Sequence, residues 1–366
     1  MPRGREAGAV NGKLALKIAV SVAMGAVCVY FAARGVDGAA VLAGIRSLHP
    51  STVLLFLATC AVTHLFRAWR WEYLLRPVGV SLPLSRMLPL SSVGFMAILA
   101  LPVRLGEFVR PYFVTRERDV GMTALLGTVA VERIIDGLLI SILFFISYMV
   151  SGASSFTPAL RFGAWLSLLG FVGLTTFLAL ARVWTDATIA FALRVSLLHW
   201  LAPGLAHKIG ERLRALISGF SVLSDHRNFG IFLLQSVIYW GSNGLGMWLL
   251  ARQMGLPISL GAAYTTMAFA GVVLSLPNSP GLVGQYQLAI RLALLAYLPE
   301  GVVKSTGMAY GIVLHGLQTI WYVGAGVLSL PALRAAGVNT SLTDAVRASN
   351  RAAEDAAAEA DEGLAS

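Results

Sequence analysis

The sequence predicts an all-α polytopic membrane protein with about six transmembrane helices and two re-entrant helical hairpins, arranged as inverted repeats. Three observations carry this prediction. Of the 366 residues, 57% are hydrophobic and only 13% are charged, whereas about a quarter of the residues of water-soluble domains are charged. Six apolar runs are long enough to cross a bilayer. Two further apolar regions are interrupted by proline and glycine at matching places in the two halves of the chain.

Six stretches supply the roughly 20 apolar residues that a helix needs to cross a hydrocarbon core of about 30 Å. The first follows a basic N-terminal segment and lacks a convincing signal-peptide cleavage site, so we predict that it remains a membrane span. The six predicted spans are residues 14–33, 52–75, 122–150, 162–182, 230–253 and 303–331.

The two interrupted regions, residues 85–118 and 258–298, are predicted to be re-entrant hairpins. The first region breaks at Leu101-Pro102, and the second is broken by the sequence LPNSPG. Proline removes a backbone donor, and the polar groups that it frees must face protein or water rather than lipid. Each region is therefore expected to enter and leave the membrane on one side.

The positions of Lys and Arg set the predicted orientation, because cytoplasmic loops are richer in these residues. The N-terminus 1–13 and the long connection 183–228 are basic, so both are placed in the cytoplasm, as is the C-terminus. Hairpin 85–118 then opens inward and hairpin 258–298 opens outward. The protein is predicted to be a multi-pass component of a bacterial-type inner membrane.

This orientation divides the chain into two repeats of opposite topology. Residues 14–182 hold the first repeat and the first span of the second, and residues 229–331 hold the rest of the second. Paired broken helices in such repeats point to a binding site near the midplane; the alternative is that both breaks are packing irregularities. Within the cytoplasmic connection, apolar periodicity at 205–224 predicts an amphipathic helix, either at the membrane interface or packed on the bundle. Residues 332–366 are expected to form a mobile, acidic tail.

Arg104, Glu107 and Arg110 lie at the end of the apolar arm of the first hairpin. Their spacing places them on one broad helix face, where Glu107 could hold both guanidinium groups in place. A planar guanidinium matches phosphate oxygens, so the group is a candidate clamp for an anion. The alternative is an anchor at headgroup level.

Glu132, Arg133 and Asp136 lie well inside the third span. An ionised side chain at mid-bilayer costs roughly 2.5–3.5 kcal/mol and normally faces the bundle interior, with partners. These residues are candidates for the same binding site. The alternative is an interhelical ion-pair lock, and one reading does not exclude the other.

The second half of the chain contributes neutral polar candidates: Asn278, Ser279 and Gln287 near the second break, and His315 in the last span. A helix that begins after the Pro-Gly pair of this break would direct free backbone N–H groups toward the midplane, a natural seat for an anion. A lone histidine in a membrane is more often a hydrogen-bonded core residue, and that alternative stays open for His315.

Several classes of site find no support in the sequence. There is no nucleotide-binding loop, no set of nucleophile, base and acid, and no metal-ligand spacing among the histidines, so neither a cofactor nor a metal is predicted. The basic residues are not interleaved with aromatics as on a nucleic-acid surface, and no nucleic-acid partner is expected. Anionic membrane lipids are the predicted partners.

The segments RLGEFVRPYF, VAVERIID and LPNSPGLVG resemble the flippase-like membrane domain of the lysylphosphatidylglycerol synthase family. The resemblance implies a bundle with two re-entrant hairpins and a role in moving lipids or lipid-linked headgroups between leaflets. It maps functional residues onto Arg104, Glu107, Arg110, Glu132, Arg133 and Asp136. The chain departs from the family pattern at Gln287, where an acidic residue is common, and at His315, where arginine is common. No aminoacyl-transferase domain follows from the sequence pattern, so a stand-alone member of the family is expected.

The leading hypothesis is a translocase or transporter that carries an anionic lipid headgroup through a central polar cavity. A second hypothesis is a membrane-embedded enzyme that modifies lipids, with Glu107 or Glu132 as general base. A third is a non-catalytic membrane partner of a separately encoded lipid-modifying enzyme. A homo-oligomer is compatible with each.

Overall fold

The computed structural model describes residues 22–100, 106–151, 158–195, 203–275, 279–335 and 337. The basic N-terminus 1–13 and the start of the first predicted span lie outside these ranges, as do residues 338–366 of the predicted tail. Within them the chain is helical and contains no β-strand. The helices are α1 (Val22–Ala33), α2 (Gly38–Arg46), α3 (Pro50–Leu75), α4 (Leu84–Ala100), α5 (Val109–Glu117), α6 (Met122–Ser151), α7 (Pro158–Val183), α8 (Thr185–Val195), α9 (Pro203–Ser218), α10 (His226–Gln253), α11 (Leu260–Ser275), α12 (Gln285–Leu294) and α13 (Met308–Ala335).

Three helical segments are long and apolar enough to cross a membrane by length and composition: Pro50–Val78, Leu160–Val183 and Glu300–Ala335. A fourth candidate is the pair α1 and α2, which is bent by 91°. The predicted spans 122–150 and 230–253 coincide with α6 and α10, which are continuous helices of 30 and 28 residues. The chain is therefore an all-helical membrane protein over the described ranges, and the arrangement of six spans with two re-entrant hairpins stays a prediction.

The ends of the long helices are set by capping residues. Helix α3 starts with Pro50 at its first position, where the missing N–H has no intrahelical partner to lose. The chain leaves α3 through a 3₁₀ turn that ends at Gly79, with φ of +84°. Helix α10 is capped by Asp225, whose carboxylate accepts from the Asn228 N–H at 3.1 Å. That hydrogen bond lowers the pKa of Asp225.

Each interrupted region has a helix on either side of its break, α4 and α5 in the first and α11 and α12 in the second. In the first, Gly106 lies against the backbone of Ala97 and Ile98. A side chain at this position would overlap α4, the helix that precedes the break. In the second, Gln285 on α12 donates a hydrogen bond to the carbonyl of Val273 on α11 at 2.9 Å. The centres of the two breaks, which include Arg104 and Asn278, lie outside the described residues.

Each of the main helix pairs joins a helix of the first half of the chain to a helix of the second half. Helix α3 packs along α10, α4 packs on α13, and α6 packs on α11. Helices α4 and α11 occupy corresponding places in the two halves, and so do α6 and α13. The α4–α13 contact therefore corresponds to the α11–α6 contact. Helices α3 and α10 run antiparallel: Gly246 of α10 abuts Thr59 near the start of α3, whereas Ser236 accepts from Arg70 near its end.

The predicted amphipathic helix at 205–224 corresponds to α9 and the 3₁₀ turn Gly219–Ser224. Helix α9 packs on α6 and α8, and Gly219 lies in close contact with Gly127 of α6. These contacts match the alternative in which the helix packs on the bundle. The predicted boundary of the tail at 332 is too early, because α13 continues to Ala335.

Candidate functional site

A buried ion-pair cluster joins α3, α5, α6 and α10, with Arg70 at its centre. Both Nη atoms of Arg70 contact the carboxylate of Asp136, at 2.5 and 2.7 Å. Arg70 also donates to Glu132 at 3.0 Å and to Ser236 at 2.9 Å. The Arg70 side chain is fully buried. A guanidinium that forms such a bidentate contact with one carboxylate has a fixed orientation.

Glu132 is the second centre of the cluster and is itself fully buried. Its other partners are Arg110, at 2.6 Å, and Arg133, at 2.7 Å. Arg110 reaches it from α5 by passing Gly94 of α4, where any larger residue would overlap the arginine side chain. The Arg110 guanidinium also lies 4.6 Å from the ring of Trp71. The carboxylate that holds Arg110 is thus Glu132, not Glu107 as the spacing predicts.

Arg67, one helical turn before Arg70, lines a cavity and has no carboxylate partner among the described residues. Its guanidinium lies among aromatic rings, 4.1 Å from the centroid of Phe95 and 5.5 Å from that of Tyr322. Contacts of this kind favour a cation by about 2 kcal/mol when it is desolvated. They hold the charge in place but do not neutralise it.

The described part of the cluster carries an excess of positive charge. Arg70, Arg110 and Arg133 pair with the two carboxylates of Glu132 and Asp136, and Arg67 adds a fourth positive charge beside them. Glu107 lies in a 3₁₀ turn before α5 and attracts Arg133 electrostatically, which halves the excess but does not remove it. A net positive site in a membrane calls for an anion.

The cavity beside this cluster has a volume of about 350 Å³ and lies between helices of both halves of the chain. Such a volume is within the range of small-molecule sites. Arg67, Arg133 and Asp136 are among its lining residues, and the Arg133 side chain is 26% exposed. Asp136 also accepts from the indole N–H of Trp240 at 3.0 Å.

The second half of the chain lines the cavity with neutral groups. His315 stacks on the ring of Tyr286 with centroids 4.8 Å apart, and its Nδ1 accepts from the side-chain amide of Gln287 at 2.8 Å. The Tyr286 hydroxyl donates to Gln318 at 2.9 Å. His315, Tyr286 and Gln318 line the cavity. Gln287 also accepts from the Gly284 N–H, so it joins the second break to the cavity wall.

The structure brings together some of the predicted residues and separates others. Arg133 and Asp136 line the cavity, as does His315. Glu132 and Arg110 are buried, and Glu132 holds Arg70, Arg110 and Arg133. Ser279 lies just after the second break, where its hydroxyl donates to the Val283 carbonyl at 2.8 Å. Arg104 and Asn278 lie outside the described residues.

Sequence reasoning missed Arg67 and Arg70. The segment LFRAWRWEYLL places both near the end of α3, where basic and aromatic residues are typical of a membrane interface. The signal that could have found them is their spacing of three inside a predicted span, the criterion that singled out residues 132–136. The sequence does not single out Trp240 either, whose indole N–H donates to Asp136.

The chain is similar to a curated protein and to a family model. The glycosyltransferase AglD of Haloferax volcanii is 23% identical over 343 residues, which cover 86% of this chain and 53% of that protein. The chain therefore spans about half the length of this relative. No solved structure matches the chain. The family model described as the lysylphosphatidylglycerol synthase TM region matches residues 14–326. Because that match covers most of its length, and the described fold is helical throughout, the chain belongs to this family.

Proposed function

We propose that this protein moves an anionic lipid, or a lipid-linked anionic headgroup, between the leaflets of a membrane. The observation that carries the proposal is uncompensated positive charge beside a central cavity. Arg67 lines that cavity without a carboxylate partner among the described residues, next to the partly exposed Arg133. A phosphate that enters the cavity would receive hydrogen bonds from guanidinium groups at a depth where lipid offers none.

The apolar part of the cavity lining suits the rest of a lipid. Ile140 on α6, Phe171 on α7 and Leu274 on α11 are apolar and line it. Helix α7 exposes further apolar side chains on its outer face, among them Leu169 at 63% and Phe177 at 53%. A cavity lined by both cationic and apolar side chains favours an amphipathic anion over a small soluble one.

The architecture proposed for this function has six spans and two re-entrant hairpins. The protein would lie in an inner membrane, with both termini in the cytoplasm. The antiparallel α3–α10 pair supports two inverted repeats, and so does the correspondence between the α4–α13 and α11–α6 pairs. Rocking of such repeats would open the cavity to each side in turn. The headgroup would then cross without contact with hydrocarbon.

The similarity to a protein named as a glycosyltransferase favours a lipid-modifying enzyme as the second candidate. Such an enzyme needs a general base within reach of its substrate. Glu132 fits that role poorly, because it is fully buried and held by three arginines. A non-catalytic partner of a separate lipid-modifying enzyme is the third candidate. All three candidates are compatible with a monomer and with a homo-oligomer.

The test is leaflet exchange in liposomes that hold the purified protein and phosphatidylglycerol labelled on its acyl chain. We expect wild-type protein to accelerate exchange. Arg67→Gln should slow exchange about tenfold or more, since a hydrogen bond to a charged group contributes about 1.5–3 kcal/mol. Arg67→Lys should slow it less. The control is Arg252→Gln, on the exposed end of α10, which should exchange lipid at the wild-type rate.

The outcomes separate the three candidates. Well-folded wild-type protein that leaves exchange unchanged would overturn the proposal. In that case, a new lipid product detected by mass spectrometry would support the enzyme, and its absence would support the non-catalytic partner. An Arg67→Gln variant that is folded and as active as Arg252→Gln would remove Arg67 from the site.

A further inference from the structure

We propose that the cavity selects a headgroup whose phosphate carries a neutral, hydroxyl-rich substituent, and that it disfavours headgroups bearing an ammonium group. The inference rests on the proposed function and deepens it by naming the substrate class. Three features of the cavity support it: the engagement of its carboxylate, the cation Arg67, which has no carboxylate partner among the described residues, and a set of neutral polar groups with unused hydrogen-bonding capacity in the same part of the chain.

The carboxylates of the described site are fully engaged. Asp136 lines the cavity, and one of its oxygens accepts from Arg70 and Trp240. The other accepts from Arg70 and lies 3.5 Å from Arg133. Glu132 is fully buried behind it. An ammonium group that entered would meet no carboxylate with a free lone pair of suitable direction among the described lining residues.

The unpaired cation acts against an ammonium group as well. Arg67 and Arg133 line the same cavity, and like charges in a site shielded from water repel each other strongly. Selectivity is often achieved by such repulsion of the wrong ligand rather than by attraction of the right one. The arginines therefore attract the phosphate and reject a cationic substituent on it.

Neutral polar groups line the cavity on α10 and α13. Asn243 and Thr319 have no hydrogen-bond partner among the described residues, and the Gln318 amide carbonyl accepts from Tyr286 while its NH₂ group has none. Side-chain amides and hydroxyls offer donors and acceptors together. A hydroxyl group both donates and accepts, so a glycerol, inositol or sugar substituent matches these groups better than an amine does.

The experiment compares acyl-labelled phosphatidylglycerol, phosphatidic acid and phosphatidylethanolamine in the same liposomes. The wild type should exchange phosphatidylglycerol at least about tenfold faster than phosphatidylethanolamine, the equivalent of one unsatisfied polar group. Asn243→Leu should lower the ratio of the phosphatidylglycerol rate to the phosphatidic acid rate. Asn243→Asp, which changes little in size, should lower the ratio of phosphatidylglycerol to phosphatidylethanolamine. The matched control is Leu328→Ala, at a position 80% exposed on the outside of α13, which should change neither ratio.

Lipid binding to the detergent-solubilised protein, measured by native mass spectrometry, separates this inference from the proposed function. Selective retention of phosphatidylglycerol without leaflet exchange would support the inference and contradict the translocase. Exchange of phosphatidylethanolamine as fast as phosphatidylglycerol would overturn the inference and leave the translocase standing. Unaltered ratios in both folded Asn243 variants would also overturn it.

Discussion

Substitution of Glu132 by glutamine tests whether the ion-pair cluster holds the bundle together. The carboxylate lies 3.0 Å from Arg70, 2.6 Å from Arg110 and 2.7 Å from Arg133, and it is fully buried. Arg70 and Arg133 would keep Asp136 as a partner in the variant. Arg110 would have no carboxylate partner among the described residues, and its charge would stay buried without compensation.

The expected loss is about 3–5 kcal/mol, the usual effect of removing one partner of a buried pair. That is a large part of a typical unfolding free energy of about 5–15 kcal/mol. The assay is reversible unfolding in mixed micelles with increasing dodecyl sulfate, followed by circular dichroism. Adding Arg110→Met to Glu132→Gln should recover part of the loss, because it removes the charge that the first substitution leaves unpaired.

The matched control is the pair Arg214–Asp186, which is as short, at 2.5 Å, but whose side chains are 60% and 83% exposed. Asp186→Asn should change the unfolding free energy by no more than about 1 kcal/mol. If Glu132→Gln destabilises no more than Asp186→Asn, or if the double variant is less stable than Glu132→Gln alone, the reasoning is refuted.

Three further predictions concern other parts of the molecule. Gly137→Ala should lower the thermal stability because its methyl group would overlap the ring of Phe171, and Phe171→Ala should restore part of it in the double variant. Arg291 donates to three backbone carbonyls at the end of α1, at 2.8–2.9 Å. Arg291→Met should therefore speed hydrogen exchange in the segment after α1, and unchanged exchange there would contradict this role. Because the pKa of Asp225 is lowered in the folded protein, its stabilising effect is full above the unfolded value of about 3.9 and is lost as the pH falls through the folded value. In unfolding experiments across this range, Asp225→Asn should show a weaker dependence of stability on pH than the wild type.

The helical, membrane-embedded class of the fold follows from the sequence because long apolar runs have few other stable structures. The positions of α3, α6, α7 and α10 agree with the predicted spans to within a few residues. The predicted break in each interrupted region likewise falls between two helices, α4 and α5 in the first region and α11 and α12 in the second. These features depend on local sequence, which periodicity and hydropathy capture.

The pairing of helices could not be predicted in the same way, since it depends on contacts between distant segments. The spacing of Glu107 and Arg110 suggests that they pair with each other. The partner that the fold supplies is Glu132, because Gly94 opens a path for Arg110 toward α6. Local spacing identifies residues that carry charge, whereas the tertiary fold determines which charges neutralise one another.

Arg67 illustrates the same limit from the other side. A basic residue near the end of an apolar run is usually an interfacial anchor, and nothing in its neighbourhood contradicts that interpretation. Its position in the cavity arises from the packing of α3 against α4, α10 and α13, which surrounds it with Phe95, Tyr239 and Tyr322. The residue that matters most to the proposed site is therefore one that only the three-dimensional structure singles out.

The most direct test is an electron cryomicroscopy map of the protein in nanodiscs that contain phosphatidylglycerol. The proposal requires a lipid phosphate inside the cavity, within hydrogen-bonding distance of Arg67 and Arg133, with its acyl chain along the wall formed by Phe171. A map in which every ordered headgroup lies at the membrane surface, while the cavity holds only protein side chains or hydrocarbon, would contradict it.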